Sequence, residues 1–213
     1  FTIHTVLILT SLLSIFPFIW LTSTSLKGLS EDIFAYPPKL ITTDFTFANY
    51  VDVWGKVDFL AYFWNSVIVA ALTVLLNLIL SSLAAYPLAR MNFKGKKVVF
   101  FSILATIMIP FQAIMLPVYI ITLKLHLIDS VNNVMGYIGL VMPFAVSAFG
   151  IFLMRQAFLK VPKEVEEAAI VDGCNVFQMF VKVVLPMVKP TLAVLAVFTF
   201  IGSWGEFLWP SIM

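Results

Sequence analysis

The chemistry-bearing residues of this chain gather in one short stretch, KEVEEAAIVD at residues 163–172. Glu164, Glu166, Glu167 and Asp172 are four of its eleven acidic residues, in a chain that is 62% hydrophobic. The plainest explanation is a solvated amphipathic loop, and the rest of the sequence offers little competing chemistry. The single cysteine, Cys174, excludes an internal disulfide framework and a multi-cysteine metal site. His4 and His126 stand near the ends of apolar segments and read as interfacial residues. Gly95-Lys96 does not complete a phosphate-cradling GxxxxGK[ST] loop, because Arg90 occupies the place of the first glycine. The expectation is a chain with no catalytic residue, no metal and no cofactor of its own.

The elements that position the acidic stretch can be read locally. Pro162 suits the first position of a helix, where its missing N–H is no loss. Glu164, Glu166 and Glu167 then fall near the positive helix end, which favours carboxylates. Gly173 can close the helix in the left-handed conformation. Asn175 and Gln178 have the spacing of a capping box for a second helix, with Val176, Phe177, Phe180, Val183, Val184 and Met187 as its apolar face.

Composition assigns the class. Only 11% of residues are charged and the mean hydropathy is +1.04, against about 25% charged in a soluble domain. Apolar segments close to the ~20 residues of a membrane-crossing helix recur along the chain. The expected fold class is all-α, a polytopic integral membrane protein forming one transmembrane domain over residues 1–213. Its spans are expected near 5–26, 63–89, 98–123, 134–158 and 191–204, with a loop at about 160–189. The first apolar segment is read as a retained span rather than a signal peptide, and both ends of the chain as lacking residues. Nine of the thirteen Lys and Arg fall in the loops after spans two and four: Arg90, Lys94, Lys96, Lys97, Arg155, Lys160, Lys163, Lys182 and Lys189. Loops rich in Lys and Arg face the cytoplasm, which puts the N-terminus and the acidic stretch inside and residues 27–59 outside.

Polar residues inside the spans are the second candidate group. Asn65, Thr73, Asn77 and Ser81 fall on one stripe of span two, continued by Ala85 and Ala89. Such a stripe packs against a neighbouring helix or lines a pathway. Span three carries Gln112 between Pro110 and Pro117, where a broken helix would expose it to a hydroxylated solute or to a neighbouring helix. Trp204, Glu206 and Trp209 face either a solute or binding protein, or the membrane interface as anchors. Spans one to four carry no ionisable residue at their centres, which disfavours a proton- or ion-coupled secondary transporter. The spans also lack the His/Asp/Glu/Ser constellation of an intramembrane enzyme.

The spacing in the acidic loop narrows the choice. Glu167-Ala168-Ala169, three residues, Gly173, nine residues and Val183-Val184-Leu185-Pro186 resemble the EAA loop of ABC importer permeases, EAA-x3-G-x9-I-x-LP. Val183 replaces Ile. With FAYPP at 34–38 and GSWGEFLWP at 202–210, nearly the whole chain resembles permeases of carbohydrate importers, most closely the second permease of maltose-type transporters. The resemblance implies a six-span fold whose sixth span lies beyond Met213. It implies a second permease subunit, a dimer of ATPase subunits carrying ATP and Mg, and an extracytoplasmic solute-binding protein. The setting it implies is the plasma (inner) membrane of a bacterium or archaeon, with no nucleic acid as partner. In that picture Glu166, Glu167, Ala168, Ala169, Asp172, Gly173, Leu185 and Pro186 form the ATPase-coupling loop. The carboxylates meet a basic partner surface, the two alanines keep the helix slim and Gly173 makes the turn. Asn65, Asn77, Gln112, Trp204 and Glu206 are the substrate-pathway candidates. The implied function is inward movement of a sugar by alternating access. A non-sugar solute is the first alternative.

Overall fold

The computed structural model describes residues 2–33, 36, 39–128 and 134–213. Four of the five FAYPP residues lie outside that set; the fifth, Tyr36, is fully exposed. The chain divides into two units, residues 1–63 and 64–213.

The first unit holds α1 (Thr2–Ser25), α2 (Ala48–Lys56) and the start of α3 (Phe59–Arg90). In lipid a spanning helix pairs its backbone groups internally, and α1 is an apolar helix with no acidic residue in its first turn, no basic residue in its last turn and Pro17 inside it. Residues 26–31 and 39–46 are braced by polar contacts. Lys27 donates to the Lys39 carbonyl at 2.8 Å and lies over the Trp20 ring. Glu31 accepts from the Thr43 hydroxyl and backbone N–H, which holds its carboxyl down at about 2. The short helix α2 was not expected from the sequence.

Among the described residues the second unit continues α3 and adds eight α-helices. These are α4 (Lys96–Ala105), α5 (Phe111–Lys124), α6 (Val134–Val141) and α7 (Ala148–Leu159). They continue with α8 (Lys163–Val171), α9 (Val176–Met187), α10 (Lys189–Trp204) and α11 (Leu208–Ile212). By length and composition three helices can cross a membrane, and five segments can if each bent pair is one span. The expected third span, 98–123, is bent by 99° between Met108 and Phe111. Pro110 lacks an N–H and pushes Ile109 into an extended conformation, which ends the first half-helix. Pro117 stays inside α5. The fourth span, 134–158, was expected without a break and is bent by 60° after Phe144, where Pro143 tightens the turn.

The polar stripe of α3 is a packing surface. Thr73, Asn77, Ser81, Ala85 and Ala89 are all buried. Asn77 donates its amide to the Phe144 carbonyl at 3.1 Å, a group released by the break in the fourth span. Its oxygen accepts from the hydroxyls of Ser81 and Ser147. Gly150 lets α7 approach this knot, since a Cβ there would lie 2.6 Å from Ser81 Oγ and 2.9 Å from Asn77 Oδ1. The apolar core lies at the other end of α3, where Phe158 meets Tyr86 and Phe180 edge-on, beside the fully buried Met154 and Val184.

Candidate functional site

Two sites emerge from this scaffold, one at the loop after α7 and one at the helix breaks. At the first, α8 starts from Pro162, which sits one position earlier than expected, as the cap with extended backbone. The helix closes with the double bond pattern of a Schellman turn. The Gly173 N–H reaches the Ile170 carbonyl at 3.0 Å and the Cys174 N–H the Ala169 carbonyl at 2.9 Å. Gly173 has φ +80°, the left-handed value the sequence predicts. Asn175 and Gln178 form the capping box of α9.

The acidic residues of α8 separate by face. Glu166 turns inward and forms an ion pair with Arg90 at 3.0 Å, both side chains being largely buried. Arg90 also donates to the Val161 carbonyl. Glu166 therefore anchors α8 to the end of α3, its carboxylate engaged by Arg90 within this chain. Ala169 is buried on the same face. Glu164, Glu167, Ala168, Ile170, Val171 and Asp172 are exposed. Val176 and Phe177, two residues of the expected apolar face of α9, are exposed as well. A π-helical turn over Met179–Val184 buries Met179 together with Phe180 and Val184, two residues of the expected apolar face. Leu185 packs partly against the core and Pro186 is exposed. The outer surface thus carries three carboxylates, Glu164, Glu167 and Asp172, the last two beside an apolar patch of Ile170, Val171, Val176 and Phe177. Arg155 supports the same end, donating to the Leu88 carbonyl at 2.9 Å with its guanidinium 4.0 Å from the Phe100 ring centre. Both arginines were legible in the sequence only as cytoplasmic charge; their inward roles depend on tertiary contacts.

The second site is a cavity of about 390 Å³, within the size range of small-molecule sites. It is lined by Thr73 and Asn77 of α3, by both helix breaks (Ile109, Phe111, Pro143, Phe144, Ser147) and by residues near the end of α10 and in α11, including Ser203, Glu206 and Trp209. Glu206 accepts from the Trp209 N–H at 3.2 Å. Trp209 is 1% exposed and donates its indole N–H to the Gly139 carbonyl, so it is a wall of the cavity rather than an interfacial anchor. The other pathway candidates lie elsewhere. Gln112 is exposed on α5 and is not among the lining residues. Asn65 accepts from Tyr137 at 2.7 Å. Trp204 is half-exposed and stacks on Phe200. Among the described residues no group of His, Cys, Asp and Glu could hold a metal ion.

Comparison with known proteins places this geometry. The family described as "Binding-protein-dependent transport system inner membrane component" matches residues 77–213. The arabinooligosaccharides transport system permease protein AraQ of Bacillus subtilis is 35% identical over 212 residues, covering 95% of this chain and 71% of that protein. The lactose transport system permease protein LacG of Rhizobium radiobacter is 34% identical over 210 residues, covering 99% of this chain and 74% of that protein. Among solved structures, a bacterial ABC transporter involved in the import of the acidic polysaccharide alginate matches with a TM-score of 0.82 and 27% identity. That match covers 99% of this chain and 72% of the other.

Proposed function

We propose a specific transport role on this premise: the chain belongs to the family of binding-protein-dependent transport system inner membrane components. It is a multi-pass inner-membrane permease subunit of an ABC importer, a class that works with an ATPase and a solute-binding protein. The proposal adds the solute, the assembly and the contact. The solute is a sugar, as the names of AraQ and LacG suggest for those relatives. The assembly is a heterodimer with a second permease, seated on a dimer of ATPase subunits that hold ATP and Mg. The observation that carries the contact is the two-faced α8. Its inner face is fixed to the bundle by Glu166 and Ala169, and its outer face presents Glu167 beside an exposed apolar patch. A helix fixed on one side and unpartnered on the other transmits the movement of whatever docks on it.

Reconstitution of the purified assembly into liposomes tests this. Uptake of a sugar should require the binding protein and ATP inside the vesicle. Uptake driven by a proton gradient without ATP would reject the reading in favour of a secondary transporter. The orientation rests on the nine-to-four division of Lys and Arg. Cysteines placed singly at Lys56 and Lys94, in a background with Cys174→Ser, should label from opposite faces, Lys56 from outside. Labelling of both from one face would reject the proposed topology and with it the cytoplasmic N-terminus.

A further inference from the structure

We propose that the cavity at the two helix breaks is a sugar subsite of this subunit that takes one neutral glycosyl ring and excludes uronates, a proposal resting on the transport role above. Three observations meet there. The first is an orphaned donor: Thr73 is 2% exposed, lines the cavity, and its hydroxyl has no hydrogen-bond partner. A buried hydroxyl left unpaired is costly, and a ligand hydroxyl can supply the missing bond. The neighbouring Asn77 is already engaged, its amide N–H by the Phe144 carbonyl and its oxygen by the hydroxyls of Ser81 and Ser147.

The second observation is the walls. Phe111 packs against Phe144 with ring centres 4.9 Å apart and edge-on against Trp209 at 5.7 Å, and all three line the cavity. Aromatic walls with a few placed polar groups suit the mixed C–H and O–H surface of a sugar ring. The third is charge. Glu206 is the only ionisable residue among the described lining residues. One of its oxygens receives the Trp209 N–H, and its carboxylate can accept from a sugar hydroxyl. With no Lys or Arg among the described lining residues, the same carboxylate repels a second carboxylate brought beside it. The cavity therefore favours neutral rings, whatever the similar alginate importer carries.

The test uses the complete importer in proteoliposomes, with labelled lactose, an arabino-oligosaccharide and an oligouronate as probes. Thr73→Val should raise the KM for the transported neutral sugar by about tenfold, the effect of one lost hydrogen bond. The thermal stability of the assembly should be unchanged or higher, because the variant removes an unpaired hydroxyl. Thr73→Ser should restore the KM. Glu206→Gln should weaken neutral-sugar uptake and admit the oligouronate. As a check independent of Thr73, neutral sugar should protect a cysteine at Ser203 (with Cys174→Ser) from thiol reagents. An unchanged KM in Thr73→Val, or Ser203→Cys left unprotected during active uptake, overturns the subsite. Wild-type uptake of the oligouronate as fast as of neutral sugar overturns the charge selection. Absence of ATP-dependent uptake of every probe rejects the sugar-transport role itself, and the subsite with it.

Discussion

Arg90→Ala should unseat α8 from the bundle and cost about 3–5 kcal/mol, the usual effect of removing one partner from a buried ion pair. The size follows from what remains. Arg90 and Glu166 are 8% and 16% exposed in their side chains, so neither is well hydrated, and loss of the guanidinium leaves Glu166 as an uncompensated charge. The Val161 carbonyl, at the turn into α8, loses its donor at the same time. Glu166→Ala should be comparably harmful, whereas the double variant Arg90→Ala/Glu166→Ala should be milder than the sum, since no buried charge is then left alone. Glu166→Gln should retain more stability than Glu166→Ala by keeping an acceptor near Arg90. Thermal unfolding of the detergent-solubilised assembly, with the double-variant cycle, measures this. Additive losses in the cycle would show that the two side chains act separately.

The parts of this fold that were legible in the sequence depend on neighbours in the chain. Gly173 at φ +80° and the Asn175–Gln178 capping box are settled within a few residues, and both stand where the spacing puts them. The break at Pro110 is local too. The sequence failed where two distant segments compete for a side chain. Adjacent carboxylates Glu166 and Glu167 look alike in the sequence, and only the arrival of Arg90, 76 positions before Glu166, turns one inward. Val176 and Phe177 share the apolar face that a regular helical period gives α9, but only its later residues Phe180 and Val184, within a π-helical turn, are buried in the core. Gln112 drew notice as a polar residue between prolines; the unpaired buried hydroxyl belongs to Thr73, which a period of four cannot tell from its stripe-mates.

At the exposed side of α8, Glu167→Ala and Gly173→Val should abolish most solute-stimulated ATP hydrolysis while leaving the membrane helices folded. Glu167 is exposed and unpaired among the described contacts, so its removal leaves the isolated subunit unaffected. In the docked assembly its loss strips a basic group on the ATPase of its counter-charge, at about 2–5 kcal/mol for a desolvated pair. Gly173 acts differently. No atom lies within 4 Å of where its Cβ would stand, so the penalty is not steric crowding but the left-handed backbone. That conformation costs a residue with a Cβ roughly 1–2 kcal/mol, and a β-branched residue is the most unsuited to it. Gly173→Val should therefore loosen the Schellman turn and with it the angle at which α8 and the Ile170–Phe177 patch meet the ATPase. Gly173→Asn, which tolerates the left-handed region, should recover most of the coupling. Glu164→Ala, on an exposed position one turn earlier, is the control and should matter little. The measurement is binding-protein-stimulated ATP hydrolysis in proteoliposomes, with thermal unfolding as the check on folding. Equal tolerance of Glu167→Ala, Gly173→Val and Glu164→Ala would mean that α8 is a solvated connector and that the ATPase docks elsewhere.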